Sequence, residues 1–179
     1  MDNIIRLRAL TQADLSKTLA WHNQEDIVEL YAGHPFPVNQ EMEQKWYERI
    51  LTSNYPTTVF GIEVIKTSLL VGISLLRDID LLNRNAETAI YIGDLNERGK
   101  GYSKNALLKT LEFAFQNLGL HRVFLKVRID NLTAINLYKK LGFTQEGELR
   151  ETVYKNGEFK SLLIFSILKE EYLTVIIKK

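Results

Sequence analysis

The N-terminal part of the chain changes from a strand pattern to a helical one. Apolar and polar residues alternate over residues 4–10, which predicts a half-buried strand. Thr11 follows as a candidate N-cap, and apolar residues recur at helical spacing over residues 14–30. The segment His34-Pro35-Phe36-Pro37 should end that helix, because proline lacks the amide proton and restricts the residue before it. A second helix is predicted over residues 39–51.

Strand patterns dominate the middle of the chain, at residues 57–65, 69–76 and 86–92. The short polar turn Lys66-Thr67-Ser68 joins the first two, so we expect them to form an antiparallel hairpin.

Helical spacing returns after two glycines, Gly99 and Gly101, and Gly119 is suited to end the new helix. Its apolar positions are Leu107, Leu111, Ala114, Phe115 and Leu118. Residues 121–129 then predict a strand, and a short helix over residues 134–141 follows.

A hairpin is predicted near the C-terminus, where residues 151–154 and 158–168 flank Asn156-Gly157. This pair is favoured in two-residue turns because both positions tolerate positive φ. The predicted order is β, α, α, three strands, then α, β, α, β, β. No repeat or low-complexity linker interrupts it, so we expect a single α/β domain over residues 1–179.

Composition narrows the choice of partner and compartment. The 23 basic and 22 acidic residues leave no charge excess for nucleic acid or an anionic membrane surface. Cysteine is absent, which excludes disulfides, thiolate zinc sites and a cysteine nucleophile. No apolar run approaches the roughly 18 residues of a membrane span, and the N-terminal residues lack the apolar core of a signal peptide. We therefore predict a cytoplasmic protein, and the spacing of His22, His34 and His121 indicates no metal site.

The stretch Arg98-Gly99-Lys100-Gly101 stands at the mouth of a predicted helix. Unpaired amides there carry roughly half a positive charge and suit a phosphate group, although two glycines alone are more typical of a tight turn. Neither a P-loop nor a dinucleotide fingerprint fits. Five residues separate Gly93 from Gly99 where a P-loop has four, and Lys104 stands where the dinucleotide fingerprint needs a third glycine. A plain nucleotide-binding protein is thus disfavoured.

The chain resembles the GNAT superfamily of N-acetyltransferases, in the branch of ribosomal-protein and spermidine acetyltransferases. The resemblance rests on residues 98–103 at a strand-to-helix junction and on Asn131, Ala134, Tyr138 and Leu141-Gly142-Phe143. Ser103 departs from the family loop, which ends in glycine or alanine, but it is small enough to fit. The implied fold is a mixed, mostly antiparallel twisted sheet of about seven strands flanked by helices. The strands near residues 86–92 and 121–129 would part in a V-shaped split.

The resemblance also implies acetyl-CoA as the acetyl donor and CoA as a product. Loop amides would hold the pyrophosphate, with added contacts from charged side chains, and the pantetheine arm would follow the strand beside the split. The implied cofactor-binding residues are Ile90, Tyr91, Ile92, Arg98, Gly99, Lys100, Gly101, Tyr102, Ser103 and Asn131. For Asn131, a simple N-cap role is an equal alternative.

Two residues are candidates for proton transfer. Tyr138 matches the family tyrosine that protonates the leaving thiolate, although a lone tyrosine at helical spacing is more typical of core packing. Glu87, on the strand beside the cofactor, could take the ammonium proton through a water, or it could be a solvated strand carboxylate. Direct attack by the amine is expected because no cysteine is present to carry the acetyl group.

The resemblance implies an amine as acceptor, and a protein N-terminus, a polyamine and an amino sugar all stay open. Acidic residues in the N-terminal helices favour a cationic acceptor, although a solvated helix surface has the same composition: Glu25, Asp26, Glu29, Glu41, Glu43 and Glu48. Trp21 and Trp46 could line a pocket there, with His34. A non-catalytic CoA-binding module is the alternative function. The apolar run Val175-Ile176-Ile177 could extend a strand or contact a second copy in a homodimer.

Overall fold

The structure is a computed structural model that describes residues 4–30, 36–52 and 57–177. Within these residues, seven strands form one sheet in the order β1-β2-β3-β4-β5-β7-β6. The strands are β1 Ile5–Arg8, β2 Thr58–Val64, β3 Leu69–Asp80, β4 Asn85–Ile92, β5 Arg122–Arg128, β6 Thr144–Lys155 and β7 Glu158–Leu168. Neighbouring strands are antiparallel except for the parallel pair β4 and β5. The predicted mixed, mostly antiparallel sheet is confirmed.

Helices cover both faces of this sheet in the described ranges. They are α1 Leu15–His22, α2 Glu25–Leu30, α3 Gln40–Thr52, α4 Tyr102–Glu112, α5 Leu132–Lys140 and α6 Lys169–Ile177. A π-helical segment, Phe113–Asn117, continues α4. Apolar residues of α4, α5 and α6 pack with β5 and β7 on one face, whereas α1 to α3 pack with β3 on the other. None of the helices described has the length and apolar character that crossing a bilayer requires.

The predicted N-terminal helix is interrupted at Asn23, which corrects the continuous helix expected over residues 14–30. The Asn23 side chain donates to the carbonyls of Leu19 and Val38, at 3.0 and 2.8 Å, and accepts from the Val38 amide at 2.8 Å. An asparagine that bonds to backbone groups in this way competes with the helix ladder. The chain therefore ends α1 and starts α2 in a new direction. His34 and Pro35 lie outside the described residues.

Two predictions for the C-terminal part were also wrong in extent. Strand β6 begins at Thr144 rather than at residue 151. The sequence pattern missed the first part of this strand, because it is a mostly exposed edge strand whose residues show no clear alternation of apolar and polar positions. Residues 175–177 continue α6 instead of forming a strand. The Asn156-Gly157 turn is confirmed, with φ of 51° and 83°.

Asp14 connects the first strand to the first helix. Its carboxylate accepts from the Thr11 amide at 2.7 Å and from the Arg8 guanidinium at 2.7 and 2.9 Å. The hydrogen bonds from Arg8, and then those from Thr11, lower the pKa of Asp14 to about 2. Thr11 thus lies at the start of the helix as predicted, and its partner Asp14 also belongs to an ion-pair network with Arg8 and Glu63.

We expect Asp14→Asn to lower the free energy of unfolding by about 1–2 kcal/mol at neutral pH, through the lost cap and ion pair. The folded-state pKa of Asp14 lies below its unfolded value, so its stabilisation is present above about pH 4 and disappears as the pH falls toward 2. Urea denaturation across this range should show wild type and variant converging at acid pH. Glu148→Gln, which alters an exposed carboxylate with no ion pair in the described chain, is the control. A constant difference at all pH values would contradict the assignment.

Candidate active site

The sheet opens between β4 and β5. In the described chain their parallel pairing consists of Asn85 with Arg122, Ala86 with Val123 and Glu87 with Phe124. Beyond Glu87, β4 continues its pairing with β3 as far as Ile92, and β5 continues its pairing with β7. The predicted V-shaped split is therefore present, and one edge of β4 faces it.

The backbone of Ile90 and Ile92 faces this opening. The Gly93 amide donates to the Val71 carbonyl of β3 at 2.9 Å, and the polar groups of successive strand residues point to opposite sides. Tyr91 therefore directs its backbone to β3, like Gly93, while Ile90 and Ile92 direct theirs to the split. The Ile92 carbonyl accepts from Arg98 Nε at 3.0 Å, which agrees with this direction.

The loop before α4 leaves a group of backbone donors without partners. Gly99 and Gly101 have left-handed φ values of 76° and 79°, and Gly101 is the N-cap residue of α4. Among the residues that the structure describes, no acceptor receives the amides of residues 99–104. A Cβ at Gly99 or Gly101 would have nothing within 4 Å, so the space above both residues is open. This arrangement suits an anion such as a diphosphate.

The charged side chains of the loop contact protein groups instead of pointing to a ligand. Arg98 donates to the Ile92 carbonyl and forms an ion pair with Asp26 of α2. The guanidinium can reach the Ile92 carbonyl because the split leaves that carbonyl without a strand partner. Lys100 forms an ion pair with Glu97 at 2.8 Å, and this hydrogen bond raises the pKa of Lys100. Tyr102 packs against the core near β1, and Ser103 lies in the first turn of α4.

Tyr138 lies on α5, on the sheet face opposite α1 to α3. Its ring packs against Phe143 and Phe165, with centroids 5.6 and 6.4 Å away, and burial raises its pKa to about 12. Phe165 pairs with Leu125, the first β5 residue beyond the β4–β5 pairs. Tyr138 therefore packs where the split begins. Its hydroxyl has no hydrogen bond to the described residues, and it keeps some exposure to solvent.

Asn131 is the N-cap residue of α5. Its Oδ1 accepts from the Ala134 amide at 3.2 Å, and its side-chain nitrogen has no partner in the described part of the chain. The structural role proposed for it is thus present, and one donor remains for a ligand.

Glu87 is buried at the last β4–β5 pair and holds two cations. One oxygen is 2.7 Å from Arg77 and the other is 3.4 Å from Lys126. These ion pairs join β3, β4 and β5 at the base of the split. The carboxylate is therefore neither solvated nor free of competing partners.

A cavity of about 950 Å³ lies on the face of the sheet that α1 to α3 cover. Tyr91 and Ile73 form its floor, and Trp46 belongs to its walls, whereas Trp21 is buried and contacts Tyr91 edge to face at 6.1 Å. Because Tyr91 and Ile90 are neighbours on β4, the cavity lies beside the strand that borders the split. Its charged lining residues are His22, Glu43, Lys45, Glu48 and Arg49.

The predicted acidic surface is partly engaged within the protein. Asp26 forms an ion pair with Arg98 and Glu29 with Arg128, while Glu43 is buried and hydrogen-bonded to Thr18 and His22. Of the six carboxylates expected to attract a cationic acceptor, Glu43 and Glu48 line the cavity.

Comparison with known proteins agrees with this geometry. Residues 5–144 match the acetyltransferase (GNAT) domain family. The chain belongs to the GNAT acetyltransferase family. It is thus an N-acetyltransferase that uses acetyl-CoA and transfers the acetyl group to an amine.

Relatives extend the similarity over nearly the whole chain. A spermidine N(1)-acetyltransferase of Vibrio cholerae is 29% identical over 97% of this chain and 98% of its own length. The crystal structure of the Vibrio cholerae spermidine N-acetyltransferase in complex with CoA and spermine has a TM-score of 0.90 at 28% identity, covering 96% of this chain and 99% of that one. A putative ribosomal N-acetyltransferase of Bacillus subtilis, YdaF, is 34% identical over 58% of this chain and 56% of its own length.

Sequence reasoning missed the pairing of His22 with Glu43 in this GNAT domain. Both residues were considered separately, one as a scattered histidine and the other as part of an acidic surface. Their positions near the end of α1 and in the first turn of α3 carry no motif that relates them.

Gly101→Ala should weaken CoA binding about tenfold, because left-handed φ costs a non-glycine residue roughly 1–2 kcal/mol and the relaxed loop would redirect its amides. Isothermal titration calorimetry with CoA measures this effect. Gly119→Ala is a matched control, with φ of 64° and open space around its Cβ but a position at the far end of the helix. It should lose stability and keep its affinity for CoA. Equal affinities of both variants would contradict the role of the loop.

Proposed function

We propose that residues 1–179 form a single cytoplasmic acetyltransferase domain that acetylates a small aliphatic polyamine. The observation that carries the proposal is the group of unpaired amides at residues 99–104, beside a split that borders a large cavity. The absence of cysteine from the sequence supports the cytoplasmic assignment.

The residues present fit CoA well. The amides of residues 99–104 would hold its pyrophosphate, with the side-chain nitrogen of Asn131 as a further donor. The exposed edge of β4 at Ile90 offers an N–H and a C=O to the amide groups of the pantetheine arm. Lys100 is exposed and could exchange Glu97 for a phosphate group. When bound, acetyl-CoA supplies a thioester whose carbonyl carbon is open to attack by an amine.

Tyr138 is proposed as the acid that protonates the departing sulfur. A phenol whose pKa is raised to about 12 keeps its proton at neutral pH. Support comes from its unpaired hydroxyl and from its contact with Phe165 at the start of the split. Arg98 would hold the loop in place, since its hydrogen bond to the Ile92 carbonyl ties the loop to β4 and its ion pair with Asp26 ties it to α2.

The walls of the cavity support a polyamine as acceptor. Methylene segments can pack on Met42, Trp46 and Leu75, while an ammonium group can approach Glu48. The relatives named as spermidine acetyltransferases and the solved complex that holds spermine point to the same class. A peptide N-terminus is the second candidate, because the volume of about 950 Å³ exceeds what a linear polyamine fills and the walls suit an apolar side chain.

Turnover measurements on a panel of amines test this proposal. CoA release would be followed with spermidine, spermine, glucosamine and a peptide with a free N-terminus, each with acetyl-CoA. We expect the polyamines to give the highest kcat/KM. Faster reaction of the peptide or of glucosamine would overturn the acceptor class. Binding of CoA without transfer to any amine would identify a non-catalytic CoA-binding module.

A further inference from the structure

A buried carboxylate holds a histidine in the wall of the cavity. Glu43 has a side-chain exposure of 2%, and its Oε2 is 2.7 Å from Nδ1 of His22. Its other oxygen accepts from the hydroxyl of Thr18, which is fully buried. His22 itself is 27% exposed and lines the cavity together with Glu43. The pair therefore joins a sealed interior to the space where an acceptor would bind.

This arrangement determines which ring nitrogen of His22 is available. An ionised carboxylate can only accept hydrogen bonds, so Nδ1 carries the proton and donates it to Glu43. In the neutral ring Nε2 then has a free lone pair, and no described residue hydrogen-bonds to it. Trp46 contacts the imidazole edge to face at 5.2 Å and restricts its rotation. A ring fixed in one tautomer by a buried carboxylate is suited to accept a proton.

Amide formation requires such a proton acceptor. A primary ammonium with a pKa of about 10.4 is neutral in roughly one molecule in 2,500 at pH 7. Both oxygens of Glu87 are already engaged, one by Arg77 and the other by Lys126. Among the described residues, no cation is bonded to His22.

We propose that His22 Nε2 accepts the proton of the acceptor ammonium, and that Glu43 and Thr18 act as positioning residues. The proposal rests on the proposed function. The ammonium loses one proton to Nε2, and the neutral nitrogen then forms a bond to the carbonyl carbon as the C–S bond breaks. The thiolate takes the proton of the Tyr138 hydroxyl, and the second proton lost by the nitrogen returns to the resulting phenolate through solvent. His22 returns its proton to solvent, so one proton is released in each turnover.

Other charged groups in the cavity wall act on the same step. Glu48 attracts the cationic acceptor, and Glu43 stabilises the imidazolium that forms. Lys45 and Arg49 oppose that charge, and the Tyr91 ring borders the cavity on the β4 side. The buried carboxylate is the group in direct contact with the ring, so its effect on the imidazolium is the largest of these.

The test compares the pH dependence of kcat/KM for the amine in wild type and His22→Asn, using spermidine, or the best acceptor of the panel. We expect His22→Asn to lower kcat/KM about 10²-fold at neutral pH and to remove the acid-side limb of the profile assigned to His22. The loss should shrink as the pH approaches the acceptor's own pKa of about 10.4. The KM for acetyl-CoA should not change. Glu43→Gln should retain the limb, with a smaller loss of rate than His22→Asn.

Controls separate this role from a structural one. His121→Asn alters an exposed histidine outside the cavity lining and should leave rate and profile unchanged. Thermal unfolding of each variant shows whether it folds, and His22→Gln provides a second substitution if His22→Asn does not. The assignment would be overturned if His22→Asn lowered kcat/KM equally at all pH values and kept the acid-side limb. It would also be overturned if Glu87→Gln, rather than His22→Asn, removed that limb. Absence of transfer by wild type would overturn the proposed function itself, which distinguishes the two failures.

Discussion

Tyr138→Phe should lower kcat by about 10²-fold or more while the affinity for CoA stays close to that of wild type. The substitution removes one hydroxyl and keeps the ring that packs on Phe143 and Phe165. Without the phenolic proton, the sulfur would leave as an unprotonated thiolate and the barrier to C–S cleavage would rise. Steady-state kinetics with the preferred amine and calorimetric titration with CoA measure the two quantities separately.

Tyr172→Phe is the matched control for this prediction. Tyr172 is also a buried tyrosine whose pKa burial raises to about 12, and it packs against Phe115, with ring centroids 5.1 Å apart. Its hydroxyl is closed off from solvent without a partner in the described residues, so its removal should leave turnover unchanged. A Tyr138→Phe enzyme as active as this control would remove Tyr138 from the mechanism.

Gly93→Ala should lower the free energy of unfolding by about 2–3 kcal/mol, because the added methyl group overlaps a packed ring. A Cβ at Gly93 would lie 2.1 Å from Cδ2 of Trp21. The indole is buried and contacts Tyr91, so it cannot move aside without disturbing the cavity floor. Chemical denaturation measures the loss, and the KM for the amine should rise at the same time.

Gly147→Ala provides the control for added volume and reduced backbone freedom. Gly147 lies in the edge strand β6, and its Cβ would have nothing within 4 Å. Its stability should change by less than about 1 kcal/mol. An equally small loss of stability in Gly93→Ala would contradict the conclusion that close packing of Trp21 on the end of β4 requires glycine at position 93.

The active site was predictable where its chemistry depends on local sequence. The glycines at 99 and 101 require left-handed backbone and precede a helix, so the loop of free amides could be expected from neighbouring residues alone. The motif around Tyr138 predicts its catalytic role, and the structure places its ring at the start of the split. Arg98 and Glu87 were different, because each has charged partners that come from other strands or helices. A charged side chain near a predicted site therefore indicates little about which group it will contact.

By itself the sequence determined the order of the strands, most of the helices, the Asn156-Gly157 turn and the left-handed glycines before α4, since periodicity and backbone preference act over a few residues. The tertiary structure decided which carboxylates remain available to a ligand, where β4 leaves β5, and that His22 meets Glu43 across 21 positions. These features depend on how helices pack on the sheet. Burial then favours an ion pair or hydrogen bond for most of the polar groups that packing encloses.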